Sequence, residues 1–153
     1  MVVTPLQLAA AYAALVNGGT VCSPRIGAVV RAPDRRIVRS ISTPVRDHLP
    51  ISARLRQDII SAMAAGAFGG FPLDTVRVGG KTGTAQSGLD TKYDTSWFAS
   101  FAGLPGTCVA VVTIPQAGQG AREAAPAVRA VWEGIYGVGQ AAAQPSPASG
   151  RRP

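Results

Sequence analysis

Three strand-like runs follow one another closely in this chain, over residues 78–87, 96–102 and 107–114. The connections between them, 88–94 and 103–106, are short enough for antiparallel hairpins. The third run contains Cys108-Val109-Ala110-Val111-Val112, apolar without interruption, as expected of a strand covered on both faces. The pattern predicts an antiparallel sheet of three strands in sequence order, with helices supplying the cover.

Helical signals lie on both sides of these runs. Thr4-Pro5-Leu6-Gln7 opens a helix with a capping residue, a proline at the first helical position and a Gln that completes a capping box. Residues 6–16 are apolar on nearly every face except at Gln7 and Tyr12, the pattern of a helix buried on all sides. Asn17-Gly18-Gly19 ends it. Residues 25–31 and 36–40 read as a peripheral hairpin around Pro33-Asp34. Pro50 and Ser52 precede a second helix over 53–65, with Leu55, Ile59 and Met63 on one face and Arg54, Gln57, Asp58 and Ser61 on the other. Gly66, Gly69, Gly70 and Pro72 read as a loop. Pro126 is expected to start a closing helix that carries Val128, Val131, Trp132 and Ile135 on one stripe and stops at Gly137. Residues 138–153, rich in Ala, Gln, Pro, Ser and Gly, read as a disordered tail behind a domain of 1–137.

Composition excludes several functions. The chain of 153 residues is 46% apolar and 15% charged, enough for one core and unlike a disordered chain. Its charge of +7 comes from 15 Lys and Arg against 8 acids, but the cations are scattered, so no nucleic-acid partner is expected. One histidine and two cysteines cannot supply the four ligands of a structural zinc, and neither a metal nor a cofactor is expected. Cys22 and Cys108 read as two small buried apolar side chains. His48, beside Asp47, reads as a surface histidine rather than part of a catalytic triad. No run approaches the ~20 apolar residues of a membrane span, and no basic segment precedes an apolar one as in a signal peptide.

The chemistry concentrates in Val78-Gly79-Gly80-Lys81-Thr82-Gly83-Thr84-Ala85-Gln86. A phosphate-binding loop would need glycine where Thr75 stands and a helix after Thr82, where Gly83-Thr84 is a poor helix start. The alternative is the Lys-Thr-Gly element of penicillin-recognising serine acyl enzymes, a strand at the edge of an acylation cleft. Three residues are a weak signal, but four segments agree in order. Val3–Ala9 through Asn17-Gly18-Gly19, then Gly80–Gln86, then Trp97–Gly103, then Ala124-Ala125-Pro126 through Trp132 resemble the C-terminal part of the transpeptidase domain of class B high-molecular-weight penicillin-binding proteins, which cross-link peptidoglycan.

The resemblance covers about residues 2–137. It implies an α+β fold, an antiparallel sheet flanked by helices, with two further strands beside the third run. It implies that Lys81 lies in the cleft against the serine of the family's second motif. The hydroxyls of Thr82 and Thr84 would bind the carboxylate of a stem peptide or β-lactam, Gly83 would leave room for it, and the Thr84 N–H would be one of two oxyanion donors. It also implies a place on the extracytoplasmic face of the bacterial cell membrane, although the chain itself shows no signal or anchor.

Two family motifs are missing. Ser-x-x-Lys is absent, because Val78 and Leu89 stand three residues before the two lysines. Ser-x-Asn is absent, because Leu15 stands two residues before the single asparagine, Asn17. The expected identity is therefore a fragment of a longer reading frame that carries the carboxylate-binding wall, has no nucleophile, and is inactive without the N-terminal half of the domain. A second reading is a non-catalytic basic module on the same scaffold that binds an anionic polymer. The intact Lys-Thr-Gly-Thr argues for the first.

Overall fold

In a computed structural model of the chain, residues 2–66, 69–73, 76–86, 94–103 and 108–136 are described. The three expected strands are β6 (Arg77–Ala85), β7 (Thr95–Ala102) and β8 (Cys108–Ile114). They pair antiparallel in sequence order, with Gly83 opposite Trp97 and Phe98 opposite Val112. The connecting residues 87–93 and 104–107 and the tail from 137 onward lie outside the described residues, as does Gly137, the expected stop of the last helix.

The sheet has four strands rather than three. The glycine-rich stretch read as a loop contains β5 (Gly69–Pro72), which pairs antiparallel with β6 from Pro72–Arg77 to Gly69–Lys81. Gly and Pro weaken a strand signal, yet an edge strand tolerates both because one row of its N–H groups needs no partner.

One face of the sheet carries α3 (Ala124–Tyr136). Val78, Phe98, Ala102, Ala124, Val128 and Trp132 form the core there, joined by Leu73. The helix starts at Ala124, two residues before the expected Pro126. Proline lacks an N–H, and the first helical turn has no intrahelical use for one. The Ala124 N–H instead donates to Ser96 Oγ at 3.0 Å, and both groups are buried. Val128 and Trp132 point inward as expected, whereas Val131 and Ile135 are exposed. The inward stripe is Ala124, Val128 and Trp132, spaced four apart.

The other face carries α1 (Pro5–Val16) and α2 (Ala53–Ala64). Alternation along β7 turns Trp97, Ala99 and Phe101 away from α3. Trp97 and Ala99 line a cavity together with Leu8 and Tyr12 of α1. Phe101 lines a second cavity together with Val16 of α1 and Ile60 of α2. Thr4 caps α1 with both bonds of the capping box: Gln7 N–H donates to Thr4 Oγ1 at 3.2 Å, and Thr4 N–H to Gln7 Oε1 at 2.8 Å. Ser52 caps α2 through Leu55 N–H at 3.1 Å. Arginines close both C-termini: Arg56 donates to Leu15 O at 3.1 Å and Arg77 to Ala64 O at 3.2 Å, each placing a cation at the negative end of a helix.

The apolar patterns of these two helices are only partly buried. In α1 only Ala14 and Leu15 are buried, and Leu6 is 62% exposed. In α2 Leu55 is exposed, and the inner side is Arg56, Ile59, Ile60 and Met63, all half-buried. The polar side, Arg54, Gln57, Asp58 and Ser61, is exposed as expected.

The hairpin is β2 (Val29–Arg31) with β3 (Ile37–Ser40), exposed on both faces. Arg35 takes φ +67° in its turn. A second pairing was not expected: β1 (Thr20–Cys22) with β4 (Val45–His48). His48 is exposed, as expected of a surface residue. The cysteines are not two buried side chains: Cys22 is half-buried in β1 and Cys108 is exposed at the start of β8, and they are not joined to each other. Residue size and polarity favoured burial, but both positions lie on short or edge strands with one side open.

Candidate active site

Gly79 and Gly80 of β6 let aromatic rings of β7 lie directly over the strand. A Cβ on Gly79 would lie 2.4 Å from Cζ of Phe101, and one on Gly80 would lie 2.7 Å from Cε1 of Phe98 and 2.8 Å from the Ala99 carbonyl oxygen. The two rings cross the strand on opposite faces, in space that any side chain would fill. Lys81-Thr82-Gly83-Thr84 continues from this clamped doublet.

Strand β5 pairs with β6 only as far as Lys81. Beyond it, among the described residues, Thr82–Ala85 pair on one side alone, with β7. A cavity of about 540 Å³ adjoins this stretch, lined by Lys81 through Gln86, by Thr95, Trp97 and Ala99 of β7, and by Leu8 and Tyr12 of α1. Consecutive residues of one strand can all line a cavity only where it wraps the strand's edge, because alternate side chains leave opposite faces.

Lys81 is exposed, and its Nζ donates to the Thr82 carbonyl at 2.6 Å. Among the described residues it makes no ion pair; the ion pairs there are Arg36–Asp34 and Arg129–Glu133. Lys81 and Gly83 share the α1 face, whereas Thr82 and Thr84 share the α3 face. A ligand that touches both the ammonium and the hydroxyls must therefore lie along the strand edge. Gly83 carries no side chain at that point, which keeps the approach open. The Thr84 side chain is exposed, and its Oγ1 accepts a hydrogen bond from Gly120 N–H at 3.2 Å.

Tyr12 faces the same cavity from α1. Burial raises its hydroxyl above the ordinary tyrosine value of 10.0, so it is neutral at physiological pH. The arrangement offers an anionic ligand the Lys81 ammonium, two hydroxyls, a strand edge and an apolar wall of Leu8, Trp97 and Ala99.

The structure thus brings the four expected residues, Lys81, Thr82, Gly83 and Thr84, together along one edge. Sequence reasoning missed Tyr12 as a wall of the cavity, although it was one of only two polar positions on an apolar helix. Gly120 was not singled out either, since nothing local to it points to Thr84. Among the described residues no three His, Cys, Asp or Glu side chains gather into a metal-binding group. No helix among them is long and apolar enough to cross a membrane.

The chain is 36% identical over 107 residues to stage V sporulation protein D of Bacillus subtilis, a match spanning 67% of this chain and 17% of that protein. It is 31% identical over 150 residues to the peptidoglycan D,D-transpeptidase MrdA of Haemophilus influenzae, across 85% of this chain and 23% of that protein. The structure of penicillin-binding protein A from M. tuberculosis in its imipenem acyl-enzyme complex superposes with a TM-score of 0.70 at 26% identity, covering 88% of this chain and 31% of that one. The chain therefore spans about a fifth of the curated relatives it matches. The model of the penicillin-binding protein transpeptidase domain matches residues 1–133. By that match over most of its length, this chain belongs to the penicillin-binding protein transpeptidase domain family.

Proposed function

We propose that this chain forms the substrate-carboxylate wall of a penicillin-binding, peptidoglycan-cross-linking D,D-transpeptidase, and that it is a partial transpeptidase domain followed by a tail over 138–153. The observation that carries the reading is the edge of β6 beyond Lys81, where the Lys81 ammonium and two hydroxyls border one cavity. Lys81 supplies the field that holds an anionic substrate and partners the second motif's serine. Thr82 and Thr84 donate hydroxyl protons to the substrate carboxylate, Gly83 gives clearance, and the Thr84 N–H faces the charge that develops on the attacked carbonyl oxygen. Such a donor acts on charge present only in the transition state, so it lowers the barrier rather than merely binding substrate.

The sequence carries neither Ser-x-x-Lys nor Ser-x-Asn, so the nucleophile comes from a segment outside it, and the chain alone is inactive. The substrates are peptidoglycan stem peptides, with β-lactams as their mimics; penicillin-binding protein A from M. tuberculosis forms acyl-enzymes with imipenem and penicillin G. The place of action is the extracytoplasmic face of the bacterial cell membrane.

The test is intact-mass analysis with a fluorescent penicillin. The chain alone should form no adduct. Joined in frame to, or co-expressed with, a segment carrying Ser-x-x-Lys and Ser-x-Asn, it should allow one adduct on the serine of that segment. An adduct on the isolated chain, or none on the joined protein, overturns the proposal.

A further inference from the structure

The loop between β8 and α3 touches the end of the site strand. Gly120 N–H donates to Thr84 Oγ1 at 3.2 Å. The loop is tied down on every side. Gly118, at φ +84°, donates its N–H to the Asp94 carbonyl at 2.8 Å. The N–H groups of Arg122 and Glu123 turn back onto Gln119 O at 3.0 and 3.2 Å. Ala125 N–H donates to Gly120 O at 3.0 Å, and Ala124 N–H to Ser96 Oγ at 3.0 Å. Gly120 itself is pressed onto the β6–β7 ladder. A Cβ there would lie 2.3 Å from the Gly83 carbonyl oxygen and 2.6 Å from that of Trp97. Both are backbone atoms of paired strands, so neither can yield without opening the sheet.

A threonine hydroxyl has one proton to give and two lone pairs to receive. With Gly120 N–H on one lone pair, the hydroxyl proton of Thr84 is left to point away from the loop. Accepting a hydrogen bond also polarises the O–H and strengthens it as a donor. We infer that Gly120 is a positioning residue of the proposed site: its N–H fixes the rotor of Thr84 so that the hydroxyl donates outward, along the strand edge, to the carboxylate of the incoming acyl donor. The inference rests on the proposed function and adds to it the group that orients the anion-binding hydroxyl. It also explains why this position holds glycine, since any side chain would lift the loop and withdraw the N–H.

The experiment uses the joined, acylating protein and two probes, benzylpenicillin and its methyl ester, which lacks the carboxylate. Gly120→Ala should slow acylation by benzylpenicillin about tenfold and leave the ester nearly unaffected, the size expected for one hydrogen bond to a charged group. Thr84→Val should show the same selective loss, the double variant should be no worse than Thr84→Val alone, and Thr84→Ser should restore most of the discrimination. Amide NMR gives a measurement that does not require Gly120→Ala to fold: the Gly120 N–H resonance should move in Thr84→Val and return towards its parental position in Thr84→Ser. Equal losses for acid and ester, additive effects in the double variant, or a Gly120 resonance indifferent to Thr84 would overturn the inference while leaving the proposed function standing. A joined protein that is not acylated at all would overturn both.

Discussion

The indole of Trp132 donates its Nε1–H to Ser100 Oγ at 2.9 Å, across the buried seam between α3 and the sheet. Ser100 passes the bond on to the Ala110 carbonyl at 2.9 Å, so helix, central strand and edge strand are joined by one hydroxyl. Both side chains are fully buried. Ser100→Ala should leave an indole N–H without a partner inside the core and cost about 1–3 kcal/mol of unfolding free energy. The double change Ser100→Ala with Trp132→Phe should cost less than the sum of the single changes. Urea denaturation of the four proteins, within the joined protein if the chain alone does not melt cooperatively, measures the coupling.

Gly80→Ala tests the clamp behind the site. The new methyl would meet the Phe98 ring and, at 2.8 Å, the Ala99 carbonyl oxygen. A ring can swing but a ladder carbonyl cannot, so the strand must shift. The expected cost is about 1–3 kcal/mol, with Lys81 displaced from the cavity. Gly118→Ala makes a useful contrast, because nothing lies within 4 Å of a Cβ there and only the positive φ is strained. A thermal melt that is unchanged in Gly80→Ala would contradict the packing described.

Removal of the site cation should be the most damaging change to chemistry. In the joined protein, Lys81→Ala should lower the second-order rate of acylation by penicillin by on the order of a hundredfold or more, the scale seen when a preorganised polar group of an acyl-transfer site is deleted. Thr84→Val should cost less, since it keeps the backbone N–H. Arg35→Ala, in the turn of the exposed hairpin, should leave the rate at the parental value. Equal rates for Lys81→Ala and the parent would remove β6 from the cleft.

Tyr12 makes a prediction in pH. Its burial raises the hydroxyl above 10.0 in the folded chain. The contribution is fully present below that value, where the hydroxyl is neutral in both states. As pH rises above 10.0 the unfolded chain loses this proton first, so folding stability falls until the folded group ionises too. Tyr12→Phe should remove this part of the alkaline loss, seen as a flatter dependence of the denaturation midpoint between neutral and strongly alkaline pH. Parallel curves for the two proteins would place Tyr12 in water.

The uncovered side of α1 should make the isolated chain adhesive. Leu6 is 62% exposed and Val2 98% exposed, and β8 is the other edge of the sheet. The chain expressed alone should bind a hydrophobic dye and associate. Leu6→Gln should reduce dye binding without lowering the melting midpoint. A monomer that binds no dye would show that α1 is covered.

What was legible in the sequence was whatever a few neighbouring residues decide. Thr4 and Gln7 close a capping box by themselves, Ser52 caps α2 three residues from its partner, and the strand-like runs of β6, β7 and β8 pair in sequence order because their connections are short. Lys81, Thr82, Gly83 and Thr84 were legible for the same reason, as adjacent residues on one strand. Strand β5 was not, because Gly69–Pro72 has no local strand preference and becomes a strand only by pairing with Arg77 through Lys81. Nor was the β1–β4 pairing, which joins Thr20 to His48 across an intervening hairpin.

Burial was likewise a tertiary decision. Val131 and Ile135 share an apolar pattern with Val128 and Trp132, yet only the latter two meet the sheet, because the angle at which α3 is held by Ser96 and Ser100 selects one stripe of several. The same holds at the site. The sequence alone determined that a lysine, two hydroxyls and a glycine stand in a row on one strand. Only the folded chain decided that Tyr12 would wall their cavity and that Gly120 would reach Thr84, since both contacts join residues far apart in the chain through backbone geometry that no local preference encodes.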